Sequence, residues 1–189
     1  MTGSTQLPLI VCFGDSLTAG YQTPGPANAH EQETPYGHVL QECLGHRGRV
    51  EISGICGEVT GEMVLRFRGT VLDRKPQMVI ILGGTNDLGW NADPAEIMRN
   101  LVKMYESARA ASIVPVPVTV PSIRVDAGTD HPDAAAWLAG HIQRRQQLNR
   151  LIADYAGRKG LEYFDLFTAT ADPDSLMLAE AYSNDGLHL

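Results

Sequence analysis

The sequence predicts an α/β fold on a five-stranded parallel sheet, and three observations point that way. Short apolar runs at 7–13, 50–55, 78–82, 113–120 and 161–164 have the length and make-up of buried strands. Segments of helical length separate them, and regular strand–helix alternation implies a parallel sheet covered on both faces. At 189 residues and 43% hydrophobic, the chain has the size of one α/β domain, 1–189, able to bury its core without disulfides or metals.

The first run leads directly into Gly14-Asp15-Ser16, and the second is followed by Gly57. The third ends in Gly83-Gly84-Thr85-Asn86-Asp87. The best-marked helix then starts at Asp93-Pro94-Ala95-Glu96, with Asp93 as N-cap, Pro94 at the first helical position and Glu96 placed for a capping box. Ile97, Leu101, Met104, Tyr105 and Ala108 give it one apolar face. The fourth run contains Pro115 and Pro117; Pro115 can begin a strand, but Pro117 predicts a local defect, because proline removes a ladder donor. From 121 to 133 periodicity is lost, which suggests a loop over a site. A second long helix is predicted over 133–158, carrying Trp137, Leu138, Ile142, Leu148, Leu151, Ile152 and Tyr155, with Gly157 and Gly160 as stop signals. No internal repeat or low-complexity tract interrupts this order.

Composition excludes several classes of function. With 15 basic and 22 acidic residues the net charge is −7, which repels phosphate backbones and anionic lipid heads, so nucleic acid is not an expected partner. Cys12, Cys43 and Cys56 are odd in number and lack C-x-x-C spacing, so neither a disulfide framework nor a thiolate zinc site is suggested. The histidines show no tight ligand spacing, and no metal is expected. No apolar run approaches the roughly 20 residues of a membrane span. The first run has no basic residue before it and no cleavage site after it, unlike a signal peptide. A cytoplasmic location is the expectation.

In parallel α/β sheets ligands bind beyond the carboxyl ends of the strands, and the polar chemistry of this sequence gathers there. A serine at a tight turn after a strand, as Ser16 is, can attack a carbonyl, although the same tetrapeptide serves equally as an ordinary turn in which Asp15 or Ser16 caps the next helix. A serine needs a base, and His188 in Asp185-Gly186-Leu187-His188 is the candidate. Residues three apart in a turn share a side, so the Asp185 carboxylate can accept from Nδ1 and leave Nε2 facing the serine. Without Ser16 and Asn86, a solvated C-terminus with an incidental histidine would be preferred. The amides of Ser16 and Gly57 and the side chain of Asn86 are the donors available to a developing oxyanion. Asp15 and Asp87 are assigned to holding loop backbone, and Trp90, Tyr21 and Trp137 are candidates to line a pocket.

The four blocks, in this order, resemble the GDSL, or SGNH, hydrolase family across essentially the whole chain. The resemblance implies a flavodoxin-like three-layer α/β/α fold, no cofactor, and carboxylic esters or thioesters of small molecules as substrates. It carries over Ser16 as nucleophile, Gly57 and Asn86 as oxyanion donors, and Asp185 with His188 as the rest of a catalytic triad. Two departures stand out. The second block lacks the asparagine that often precedes its glycine, which leaves Gly54 as the alternative to Gly57. The family commonly continues past the histidine into a helix, whereas this sequence ends at Leu189, so the expectation is either a shortened chain or a less firmly held His188. A different class of function is a flavodoxin-like module that holds a phosphate or nucleotide in the loop from Gly14 to Gly20 without hydrolysis. That reading leaves Asn86, Asp185 and His188 without a task, and the loop is not a G-x-G-x-x-G or P-loop pattern.

Overall fold

The computed structural model describes residues 7–24, 30, 32–125 and 133–189. The first apolar run forms β1 (Leu9–Gly14) and enters a single helical turn, α1 (Ser16–Ala19). A small antiparallel ribbon, β2 (Tyr21–Gln22) with β3 (Gln32–Glu33), precedes α2 (Tyr36–Leu44). There follow β4 (Arg49–Gly54), α3 (Thr60–Thr70), β5 (Met78–Leu82), α4 (Thr85–Gly89) and α5 (Pro94–Ala110). β6 (Val114–Pro117), the long α6 (Ala134–Lys159) and the short α7 (Leu166–Thr170) complete the order.

The sheet is parallel, in the order β4-β1-β5-β6. Register assigns its faces, because laterally paired residues of a parallel sheet point the same way. Cys12 pairs with Ile52 and Ile80, and α2 covers this face, with Gly37 against Ile52 and Cys12. Phe13 pairs with Ser53 and Ile81 on the opposite face, where its ring meets the edge of Phe67 from α3 at 5.2 Å. There α5 packs against α3, α6 and β6. The predicted face of α5 is buried, and Asp93 caps the helix by accepting from the Ala95 amide at 2.7 Å. Glu96, expected to complete a capping box, lies exposed. Each fully buried Leu, Ile or Phe of this core contributes about 1.5–3 kcal/mol relative to exposure.

The sheet has four strands rather than the expected five, and the prolines explain why. Val114 donates to Gln77 O at 3.0 Å and Val118 to Ile81 O at 3.1 Å, so the even-numbered amides of this stretch face β5. Positions 115 and 117 alternate with them and face outward. Pro117 therefore leaves the β5 ladder intact, contrary to the expected defect; what the two prolines remove is the donors a fifth strand would need. The expected strand at 161–164 is reduced to one parallel bridge, Val118 with Phe164. Its bonds run from Phe164 N to Pro117 O and from Thr119 N to Phe164 O, both 3.0 Å. Helix ends confine it further, since the Leu161 amide turns back to Ala156 O at 2.9 Å and Asp165 caps α7.

Candidate active site

The turn after β1 is set by its own side chains. Asp15 accepts from the Leu17 amide at 3.0 Å, capping α1 and placing Ser16 at its first position. The seat beneath this turn requires glycine: a Cβ on Gly54, the last residue of β4, would fall 2.2 Å from Ala19 N and 2.6 Å from Asp15 O. Asp15 is fully buried, and burial pushes its carboxyl up to about 7; the nearby Asp87 adds to the rise, while the Leu17 amide and Arg145 oppose it.

Across from this turn, Nε2 of His188 lies 3.2 Å from Ser16 Oγ, and Nδ1 lies 2.7 Å from Asp185 Oδ2. The loop that carries both residues has neither strand nor helix, and hydrogen bonds fix it instead. Asp185 Oδ1 accepts from the amides of Leu187 and His188, each at 2.8 Å, and from Ser183 Oγ at 3.2 Å. Thr23 Oγ1 donates to Asp185 Oδ2, and the Gln22 side chain donates to the Leu189 carbonyl. Burial pushes the Asp185 carboxyl up, but the bonds from His188, Thr23 and the two amides outweigh it and hold it well below the usual range. The ring of Tyr21 meets that of His188 at 4.7 Å, edge to face. Gly186, at φ +79°, accepts from the Arg124 amide at 2.8 Å, and a Cβ there would strike Arg124 O. His188 is thus held at both ring nitrogens and at its amide, more firmly than expected for a tail.

The remaining predicted residues lie on neighbouring turns. Gly57, at φ +77°, occupies an exposed turn with open space where a Cβ would project, whereas Gly54 is closed in beneath α1. Asn86, in the first turn of α4, donates from Nδ2 to Glu58 O at 2.9 Å and so ties the third block to the second. Its second amide hydrogen is left for another acceptor. Asp87 accepts from the amide of Thr60 at 2.9 Å and from its hydroxyl at 2.5 Å, which locks α4 to the start of α3 as expected.

Two features went unread in the sequence. Buried Glu58 and half-buried Arg66 form a two-bond ion pair, Nε to Oε1 at 2.6 Å and Nη2 to Oε2 at 2.5 Å. Arg66 also donates to Ser53 Oγ and Gly14 O, and its guanidinium lies 4.1 Å over the Phe13 ring, so it binds the turn after β4 to the end of β1. The second is a cleft of about 410 Å³ lined by Asn86, Trp90, Trp137 and the 185–187 loop, with His141 and Arg145 buried in its wall. Trp90 and Trp137 are pocket residues as expected, whereas Tyr21 packs on His188. The middle of the expected loop, 126–132, with His131, lies outside the described residues. Among the described residues, no three His, Cys, Asp or Glu side chains are grouped to hold a metal ion, and no helix is long and apolar enough to cross a membrane.

Residues 12–189 match the GDSL-like Lipase/Acylhydrolase family, a span that contains every block named above. The chain belongs to that family. With the GDSL-like hydrolases it shares its fold: a GDSL-like lipase of Bacteroides thetaiotaomicron superposes with a TM-score of 0.73 at 22% identity, covering 95% of this chain and 78% of that one. A lipase/acylhydrolase of Enterococcus faecalis gives 0.72 at 24% identity, over 97% and 87%. By sequence, the uncharacterized lipoprotein YqeF of Bacillus subtilis (strain 168) is 31% identical over 132 residues, 65% of this chain and 52% of that protein. The matched region is therefore about half the length of that relative.

Proposed function

We propose that the chain cleaves carboxylic esters or thioesters of small substrates through an acyl-enzyme on Ser16. The observation that carries this reading is the continuous line Ser16 Oγ, His188, Asp185, at 3.2 and 2.7 Å. His188 Nε2 takes the proton of Ser16 as Oγ attacks the carbonyl carbon, and the Asp185 carboxylate stabilises the imidazolium that forms. Negative charge collects on the carbonyl oxygen, where the amides of Ser16 and Gly57 and the side chain of Asn86 are the proposed donors. His188 then gives its proton to the leaving oxygen or sulfur. In the second half it takes a proton from water as the water oxygen attacks the acyl carbon, and returns that proton to Ser16 Oγ as the Oγ–acyl bond breaks, which releases the acid and restores Ser16.

The phosphate-binding alternative has less support. The Leu17 amide is already taken by Asp15, and α1 is a single turn. The thiols of buried Cys12 and exposed Cys43 support a reducing, cytoplasmic location, which cell fractionation tests; recovery with membranes, as a lipoprotein would behave, counts against it.

The direct test of the mechanism is release of p-nitrophenol from the acetate, butyrate and octanoate esters by wild type and Ser16→Ala, with stoichiometric labelling by a fluorophosphonate. Turnover lost in Ser16→Ala, with the label on Ser16, is expected. Unchanged turnover in Ser16→Ala would overturn the assignment.

A further inference from the structure

The wall of the cleft beside Ser16 and His188 holds a charge that the hydrolytic cycle does not use. Arg145, on α6, is 2% exposed, yet among the described residues its hydrogen bonds run through Nη1, to Pro121 O at 3.0 Å and Thr85 Oγ1 at 3.4 Å. Nε is buried with no acceptor among the described residues. One turn earlier on the same helix, His141 is 3% exposed and its Nδ1 is likewise without a partner, while its ring lies 4.3 Å from that of Trp137. Both residues line the cleft, which also reaches Asn86 and the Asp185 loop.

A buried guanidinium with unused donors destabilises a fold unless an anion meets it. Burial lowers Arg145 to about 10, with Asp15 opposing and Arg144 adding to the fall, so it stays cationic at neutral pH. Burial, with the charges of Arg144 and Arg145, lowers His141 to about 4, so its ring is neutral there. Of the carboxyl groups nearby, Asp15 makes no hydrogen bond to Arg145 among the described residues and is itself pushed up to about 7, while Asp185, on the same cleft, is engaged by His188, Thr23 and its own backbone. The cleft thus presents a fixed cation, a neutral imidazole and the faces of Trp90 and Trp137, which are 82% and 51% exposed. Planar guanidinium donors in a dry wall suit a carboxylate, and exposed indoles suit the apolar body that carries it.

We propose that this cleft selects esters bearing a carboxylate, seated on Arg145 and His141 with the rest of the molecule against the two tryptophans. The inference rests on the hydrolase reading above and deepens it by naming the substrate class.

Two matched pairs of esters test it, one for each side of the scissile bond. On the acyl side, p-nitrophenyl hemiglutarate is compared with p-nitrophenyl methyl glutarate; on the leaving side, 4-acetoxybenzoate is compared with its methyl ester. For wild type, kcat/KM is expected to favour the charged member at least tenfold in one pair, mainly through KM. In Arg145→Met the ratio within that pair falls to one or below, whatever the absolute rates, and Arg145→Lys retains part of it. Equal or reversed preference in both pairs for wild type, or an unchanged ratio in Arg145→Met, overturns the proposal while serine-dependent turnover leaves the hydrolase reading standing. No serine-dependent turnover of any of the four esters overturns both. If Arg145→Met does not fold, the wild-type ratios and Arg145→Lys decide.

Discussion

Ser16 and His188 meet at 3.2 Å from two unlike kinds of structure. Ser16 is placed by the core: β1 is buried from Val11 to Phe13, Gly54 makes the seat, and one cap starts the helix. His188 is placed by a loop in which Asp185 takes hydrogen bonds from its own backbone, from Ser183 and from Thr23. Packing fixes the first position and polar contacts the second. Change on the two sides therefore has different consequences, since a fault near Ser16 is felt first as lost stability and a fault in the 183–188 loop first as lost geometry.

The largest effect should come from the loop. Asp185→Asn retains the shape and one acceptor but loses the charge that orients His188, and kcat/KM is expected to fall by about 10⁴, with a moderate fall in Tm because the carboxylate held below its usual range also stabilises the fold. An equal collapse of stability, read by calorimetry, would erase the contrast. Asn86→Ala sits between the two regions; kcat should fall by about 10² to 10³ with KM nearly unchanged, and equal losses in both would remove Asn86 from the oxyanion role. On the packed side, Arg66→Ala strands the buried Glu58 carboxylate and should cost on the order of 3 kcal/mol, a Tm fall of roughly 6–12 °C by thermal melt. The smallest effect is a pH-dependent gain. Because the folded state holds the Asp15 carboxyl up at about 7, wild type loses stability as pH rises from the ordinary carboxylate range to about 7. Asp15→Asn keeps an acceptor for the cap without that loss, so it should gain on wild type across this window, by roughly 1 kcal/mol or more at pH 8. A Tm difference that stays flat with pH would contradict the burial argument.

Much of this was legible in the sequence because it depends on local spacing. The apolar runs gave β1, β4 and β5 nearly to the residue, the period of α5 gave its buried face, and three-residue spacing anticipated the Asp185–His188 bond. What went unread depends on partners distant in sequence. Pro117 looked harmful until the register showed which side its missing amide faces. Glu58 and Arg66 meet only because the turn after β4 folds back on α3. Arg145 did leave a trace, since it falls three residues after Ile142 and three before Leu148, on the buried stripe of α6 where a charged residue needs a reason.

The two prolines have a consequence for how the protein behaves among its own copies. Beyond β6 the sheet ends on apolar side chains, with Val114 50% and Phe164 59% exposed, the kind of border along which strands of separate molecules zip together. An approaching strand would find the carbonyl at 115, but at 117 a carbonyl already taken by the Phe164 amide, and no amide at either position. The border is apolar in composition yet lacks, at 115 and 117, the amide donors by which a strand of another copy would pair with it.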